Sequence, residues 1–508
     1  MKAVILAGGY GTRMRPLTFS QPKPLVTLAG KPIIAHIIDY LASHGISEVF
    51  VTTNYLRESI QDYLGFHHNG VKINYPVEEE PLGTAGCVKN IQDSLDETFL
   101  VIQGDCITDM DLKKLFGKHK SSGALATIAT YPVDEPWKYG VVDSGDDGCV
   151  RQFFEKPDRD KCVTSKANTG VYVLEPEVLD YVPEKTFFDF ARNLFPMLLE
   201  SQSICECSYD SSSFWIDVGH PKDYYRAHVW LMDNISKYVS GSLKRLDGFE
   251  GDVFAGSNVV INSSSMIEGP VVIQDNVVIE HDVVIKPYTS INSGNCLKNG
   301  TILLGSILFK NSVFGAGSTI SQSMVGENSV LKAGVSVRND VLVGADCVVG
   351  ARARILEGSR IWPGMDIDAN SIVDGTLRNF VQTYDPPGDI MWSLREVTPE
   401  EAFYFNKKES NRILYTGLRA KSLSDFTQVL REVDLNSIEF HLRYDNNDFQ
   451  KWVHNILDDP VFAGRLGEIK KFYDSKSLNS SGLRKHLVLA SENRLRQLVE
   501  GVRPKGYW

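Results

Sequence analysis

Apolar and polar positions change their period twice along this chain. Up to about Lys237, short all-apolar runs alternate with stretches of helical spacing. Ala3-Val4-Ile5-Leu6, Val49-Phe50-Val51 and Phe99-Leu100-Val101-Ile102 are the runs; Ile33, Ile34, Ile37, Ile38 and Leu41, closed by Gly45, show the helical spacing most plainly. Strands alternating with helices in this way predict an α/β domain with a mostly parallel sheet. Near residue 250 a period of six takes over, through Ile261, Ile267, Ile273, Ile279, Ile285, Ile291, Leu297 and Leu303. After an offset between about residues 304 and 324 it resumes at Val325, Leu331, Val337, Val343, Val349, Ile355, Ile361, Ile367 and Val373. Small or β-branched residues stand four places after many of these anchors (Val277, Val283, Thr289, Ser359), and Gly326, Gly344 and Gly350 follow directly after theirs. A helix does not give a strict six, nor does a stack of hairpins sustain one so long. The beat predicts a solenoid whose coils bury one another's apolar edges, with an ordinary β-sandwich as the alternative.

The six-residue beat resembles the hexapeptide repeat of the left-handed parallel β-helix. Beyond it, Tyr384-Asp385-Pro386-Pro387-Gly388 reads as a linker or turn. Helical spacing then returns in Ser424–Val433 and in Asp448 to Leu457, where Phe449, Trp452, Val453 and Ile456 share a face. The expected domains are therefore 1–237 (α/β), 250–376 (β-helix) and 385–508 (small, mainly helical). The last 130 residues or so resemble an uncharacterised module appended to archaeal transferases, a resemblance that implies no known function.

Composition narrows the function classes. A chain of 508 residues suggests three or so domains, and a hydrophobic content of 43% is ordinary for a soluble protein. The net charge of -11 argues against nucleic acid as the main partner, although a few cations in a cleft are enough to bind a triphosphate. No apolar stretch approaches the roughly 20 residues of a membrane span, and the apolar start is too short for a signal peptide. The eight cysteines are scattered; Cys205 and Cys207 sit close together but lack the second pair a zinc site needs. Reduced thiols and a cytoplasmic location are the expectation.

The chemistry is concentrated in residues 6–25. Gly8, Gly9 and Gly11 follow the first strand, where glycine lets backbone N–H groups approach phosphate oxygens. Arg13 adds a fixed fork of donors and Lys23 a mobile point charge. The spacing is neither the dinucleotide-binding pattern nor a P-loop, and three glycines alone could form a plain turn. With Arg13 and Pro22-Lys23-Pro24 in register, the stretch resembles the signature of the sugar-nucleotide pyrophosphorylases, nucleotidyltransferases that join a sugar 1-phosphate to a nucleoside triphosphate. The resemblance implies a Rossmann-like nucleotidyltransferase domain, with Leu6, Ala7, Gly8, Gly9, Gly11 and Thr12 around the nucleotide and Arg13 and Lys23 as catalytic cations.

It also implies magnesium held by Asp105, in Gly104-Asp105 after a strand, and by Asp217, in Phe214-Trp215-Ile216-Asp217-Val218-Gly219. Taken singly, each Asp could be a turn or cap residue. Two opposed anions, a sugar phosphate and a triphosphate, need such a cation to be aligned. Tyr139-Gly140-Val141-Val142, Phe154-Glu155-Lys156-Pro157 and Asn168-Thr169-Gly170-Val171-Tyr172 resemble the family's sugar-phosphate segments, which makes Gly140, Glu155, Lys156 and Asn168 the binding residues. Read alone, Glu155-Lys156 is an exposed charge pair.

Pro81-Leu82-Gly83-Thr84-Ala85-Gly86 resembles the loop around base and ribose, so Gly83 and Thr84 join the nucleotide site. Just upstream stand Glu78, Glu79 and Glu80, in the simplest reading a solvated acidic turn. Relatives using UTP or dTTP commonly carry glutamine in place of Glu78. A carboxylate only accepts hydrogen bonds, which suits the adjacent N–H donors of guanine and not a uracil carbonyl. The segment resembles mannose-1-phosphate guanylyltransferases most closely, implying GTP and mannose 1-phosphate as substrates and GDP-mannose as product.

Three other readings remain. A glucose-1-phosphate uridylyl- or thymidylyltransferase would share the reaction but not the base. A non-catalytic regulatory relative would be expected to lose Arg13, Lys23, Asp105 or Asp217, all of which are present. A β-helix acyltransferase would need a base, and His281 is the sole histidine of the repeats. Assembly is the more natural use of the β-helix, and a homo-oligomer is expected.

Overall fold

The computed structural model describes all residues except Tyr10, Ser20, 54–56, 79–81, Gln202, Ser240, 378–393, 444–445, Asp458 and 503–508. The chain forms two compact units, Met1–Met14 with Gln21–Leu231, and Arg15–Ser20 with Met232–Trp508.

In the first unit the strand Lys2–Leu6 is central, its apolar residues wholly or almost wholly buried. It pairs in parallel with Glu48–Thr52 on one side and with Phe99–Gln103 on the other, and Val71–Asn74 extends the parallel run beyond Glu48–Thr52. The chain thus visits one side of the first strand and later returns to the other. That makes the carboxyl end of Lys2–Leu6 a switch point, where open α/β sheets form their ligand crevice. On the far side the sheet is antiparallel, through Lys166–Leu174, Gly140–Ser144 and Val150–Glu155. Here the sheet departs from the mostly parallel expectation; between Gly140–Ser144 and Val150–Glu155 the connection Gly145–Cys149 is too short for a crossover and permits only a hairpin. The helix Ile33–Ser43 forms where its apolar spacing requires, with Ile33, Ile34, Ile37, Ile38 and Leu41 buried.

In the second unit the six-residue beat becomes a parallel β-helix. Each anchor is the inward residue of a strand of two or three residues, and Ile279, Leu297, Phe314, Leu331, Val349 and Ile367 stack in one ladder of the core. Coils mostly repeat every eighteen residues, as from Val260 to Val278 to Cys296. The sequence offset is two coils of seventeen, Ser290 pairing with Ile307 and Ile307 with Met324, which shortens two turns and leaves the ladders unbroken. His281 lies exposed on a turn, its Nε2 3.4 Å from the Asn262 amide.

After the β-helix come helices Leu423–Glu432, Leu435–His441, Asp448–Asn455, Pro460–Asp474 and Ser480–Val502. The first four are capped by Ser422, Asp434, Asn447 and Asp459, each side chain accepting a backbone N–H of the first turn. Their apolar faces enclose Phe403, Phe405, Phe426, Phe449 and Trp452. The sequence reading contains no strands here, yet Phe403–Glu409 and Arg412–Ala420 form an antiparallel hairpin. All eight cysteines are free thiols, and among the described residues no helix is long and apolar enough to cross a membrane.

Candidate active site

The crevice begins where the first strand ends. Ala7 N–H donates to the Thr52 carbonyl at 2.9 Å and Gly104 N–H to the Leu6 carbonyl at 2.8 Å, which pins the start of the glycine loop to both neighbouring strands. Gly8 and Gly9 are exposed, and a Cβ added at Gly9 would meet nothing within 4 Å. No packing therefore explains that glycine, and the open space suits a ligand's approach to the backbone. Gly11 has a φ of +63° and its carbonyl accepts the Met14 N–H, starting the short turn Thr12–Met14 that carries Arg13.

Two short strands bring the acids together. Cys106–Thr108 pairs antiparallel with Trp215–Asp217, Asp217 lying opposite Cys106, and Val218 N–H donates to the Asp105 carbonyl at 2.9 Å. Asp105 and Asp217, remote in sequence, thereby share one wall. Lys23 is buried beneath them, its ammonium hydrogen-bonded to Asp105 Oδ2 and 3.9 Å from Asp217 Oδ1. That Asp217 oxygen is buried and makes no hydrogen bond. Burial, and then the Asp105 charge, raise the Asp217 carboxyl above its ordinary range, against the opposing pull of Lys23 and Arg13. Two carboxylates that destabilise one another, one with an unsatisfied buried oxygen, fit a hard divalent cation whose remaining positions are filled by water and phosphate. Among the described residues no cluster of three or more His, Cys, Asp or Glu offers a fuller metal cage.

Arg13 reaches the same wall. A Cβ at Gly219 would sit 3.1 Å from its guanidinium, so glycine leaves the fork its room, and Arg13 Nη1 lies 3.3 Å from His220 Nε2. Burial first, and then Arg13, lower the affinity of His220 for its proton. The neutral ring accepts an Arg13 N–H.

A cleft of about 270 Å³ opens from this wall. Arg13, Asp105 and Asp217 line one part of it, and Gly140, Glu155, Lys156 and Asn168 another, with Thr84 also on its surface. Gly140 stands opposite Glu155 in the hairpin register, and burial raises the Glu155 carboxyl. Lys156 is exposed, with its ammonium 3.9 Å from Glu155. Asn168 is held from both sides, donating to Tyr172 Oη at 2.9 Å and accepting Gly170 N–H at 3.0 Å.

Leu6, Ala7, Gly8, Gly9, Gly11, Thr12, Lys23, Glu78 and Gly83 are not among the residues that line the cleft. Glu78 is partly buried; burial raises its carboxyl, which also accepts the Leu82 N–H. Glu79, Glu80 and Pro81 lie outside the described residues. Gly83 is explained by packing, since its φ is +73° and a Cβ would come 2.8 Å from the Phe188 carbonyl.

Sequence reasoning overlooked three supporting groups. Asp189 accepts the Thr84 hydroxyl at 2.8 Å, Tyr172 carries Asn168, and His220 meets Arg13. Two of them had a local signal, His220 three residues after Asp217 and Tyr172 four residues after Asn168 on the same strand; Asp189 is joined to Thr84 only by folding.

Comparison with known proteins places these elements. Residues 2–234 match the family described as nucleotidyl transferase, 267–377 the GMPPB C-terminal domain, and 378–492 a family of unknown function, DUF5752. The last match says nothing of an archaeal distribution. A mannose-1-phosphate guanyltransferase of Kluyveromyces lactis is 38% identical over 260 residues, 50% of this chain and 71% of that protein. The mannose-1-phosphate guanylyltransferase catalytic subunit beta of Drosophila pseudoobscura pseudoobscura is 36% identical over 271 residues, 52% of this chain and 72% of that one. The crystal structure of HddC from Yersinia pseudotuberculosis aligns with a TM-score of 0.39 at 30% identity, covering 45% of this chain and 97% of that one.

Proposed function

Because the chain belongs to the nucleotidyl transferase family and is a nucleotidyltransferase, we propose that it joins GTP to mannose 1-phosphate, giving GDP-mannose and pyrophosphate. In this reading a phosphate oxygen of the sugar 1-phosphate attacks the α-phosphorus of GTP. A new P–O bond forms, the α–β bridge breaks, and pyrophosphate leaves with the electron pair. The observation that carries the reading is the shared cleft: Arg13, Asp105 and Asp217 at one wall, Gly140, Glu155, Lys156 and Asn168 at another.

The glycine loop, from Leu6 to Thr12, presents N–H groups to the triphosphate. Arg13 stabilises charge on the phosphates during in-line attack, held in place by His220. Lys23 fixes Asp105 and Asp217 from below. These two carboxylates hold magnesium, which would screen the charge between the two phosphates. Glu155 and Asn168 receive sugar hydroxyls and Lys156 meets the sugar phosphate. Glu78 reads the guanine N–H edge, and Gly83 and Thr84 shape the loop around base and ribose.

We also propose a division into 1–237, 250–376 and 385–508, a cytoplasmic location and a homo-oligomeric state. The test of the reaction is pyrophosphate release from purified protein, with a panel of triphosphates set against a panel of sugar 1-phosphates. Highest kcat/KM for GTP with mannose 1-phosphate, dependent on magnesium, is the expected result. Preference for UTP or dTTP would overturn the assignment of base and product while leaving the reaction class intact.

A further inference from the structure

A solenoid ends in two open faces, each with a row of unpaired backbone groups and an apolar core. In this chain the last coil does not end in water. The strand Ile372–Asp374 pairs in parallel with Arg412–Ala420, Ile372 opposite Arg412, Val373 opposite Ile413 and Asp374 opposite Leu414. Ile372 N–H donates to the Asn411 carbonyl. Phe403–Glu409 then adds antiparallel as the outermost strand of the same sheet. Ile413 and Phe440 enter the β-helix core beside Val373, Ile367 and Leu377, the apolar side chains of the final coil. Ion pairs frame the junction: Lys408 with Asp368 at 2.8 Å, Arg412 with Asp374 at 3.4 Å and Arg443 with Asp368 at 3.9 Å.

The added sheet is itself brought to a stop. At Asn406, in the outermost strand, the N–H donates to His441 Nε2 at 2.9 Å, and the carbonyl accepts the Ser437 hydroxyl at 2.7 Å. Both partners belong to the helix Leu435–His441, so side chains take the place of a further strand. His441 is buried, and its Nδ1 lies 2.8 Å from buried Asp448. Because the Asn406 backbone N–H can only donate, Nε2 is the acceptor in that contact.

We propose that the C-terminal module, which matches a family of unknown function, is the end cap of the β-helix. It closes the core of the last coil, extends one sheet by two strands, and terminates that sheet so that a second copy of this chain cannot pair with it end to end. The same surface without the cap would be a template for strand addition between copies.

The test uses the full chain and does not depend on the enzymatic reading. Ile413→Asp places a carboxylate in the final coil's core. Hydrogen exchange at the Ile372–Asp374 amides should then accelerate by about 100-fold or more, and light scattering should show a mass that grows with concentration. The amides of Asp448–Asn455 report whether the module itself remains folded. Should that variant unfold, Asp368→Lys decides the matter: it sets like charges against Lys408 and Arg443 and should loosen the same amides several-fold, with recovery in Asp368→Lys/Lys408→Glu. Unchanged exchange in the variants overturns the cap. Faster exchange with a mass independent of concentration overturns its role in blocking association.

Discussion

Gly140→Ala adds one methyl group at the point where Phe153, Glu155 and Asn168 converge. The new Cβ would lie 2.9 Å from Phe153 Cζ, 3.0 Å from Glu155 Oε2 and 3.3 Å from Asn168 Cβ. Carbon atoms prefer separations of about 3.5–4.0 Å, so the Phe153 ring must recede by roughly half an ångström or more and Asn168 by a few tenths. The ring cannot withdraw freely, because it packs edge-on against buried Phe195 with centroids 5.4 Å apart. Glu155 and Asn168 border the cleft, and the displacement should pass to them. Overpacking of this kind costs about 1–3 kcal/mol, and each 1.4 kcal/mol or so that falls on binding is a factor of about ten. The KM for mannose 1-phosphate should rise by about tenfold, while that for GTP stays within about twofold. Initial rates of pyrophosphate release with each substrate varied in turn, and a melting curve alongside, provide the measurement. Equal rises in both KM values, or an unchanged sugar KM with a lowered Tm, would refute the placement of the sugar in this part of the cleft.

Four further outcomes follow from the same geometry. Asp217→Asn should lower turnover by about 100-fold or more. Because the folded carboxyl is raised, its ionisation opposes folding increasingly as pH rises from the ordinary carboxylate range, so the variant's Tm at pH 8 should equal or exceed the parent's; a large loss of Tm would make Asp217 a structural residue. Arg13→Lys keeps the charge but loses the fork seated between Gly219 and His220, and parental kcat in that variant would contradict the role given to Arg13. Glu78→Gln should move the ratio of kcat/KM from GTP toward UTP and dTTP by about tenfold or more, measured in a direct competition assay. Burial raises the Glu206 carboxyl, but hydrogen bonds from Ser144, Thr130 and Lys166 outweigh it and hold the group below its ordinary range. The stability it supplies is complete above about pH 4.3 and is lost as pH falls through the lower folded value, so Glu206→Gln should melt earlier at pH 7 and show a flatter acid limb of Tm against pH.

What could be read from the sequence divides along a physical line. Period is local, and the six-residue beat from Ile261 to Leu303 and again from Val325 to Val373 predicts the inward ladder residue by residue, because every coil repeats one environment; Leu308, Phe314 and Ile320, in the two shortened coils, fall outside it. The apolar runs at Ala3–Leu6 and Phe99–Ile102 are equally local, and they place the glycine loop and Asp105 at strand ends before any pairing is known. Asp217 could be assigned only through resemblance; its partnership with Asp105 depends on the short antiparallel pair Cys106–Thr108 and Trp215–Asp217, which no local pattern announces. Asp189 was missed for the same reason, since it acts through Thr84, a partner that only the fold supplies, whereas Tyr172 lies four residues from Asn168 on one strand and only its hydroxyl contact was unforeseen.

The hairpin Phe403–Ala420 was hidden by its surroundings. Its inward residues Phe403, Phe405 and Ile413 alternate correctly, but Lys407, Lys408, Glu409 and Arg412 crowd its turn and give the stretch the look of a solvated linker. In the fold those charges have a use, since Lys408 and Arg412 face Asp368 and Asp374 at the end of the β-helix. A charged strand is a poor candidate for a sheet interior and a good one for a sheet's end. The acids it meets, Asp368 and Asp374, belong to the final coil, whereas the coil before has Gly350 and Leu356 at the equivalent positions. The change from Gly350 and Leu356 to aspartate becomes readable as the end of the solenoid only once the strand that answers it is known.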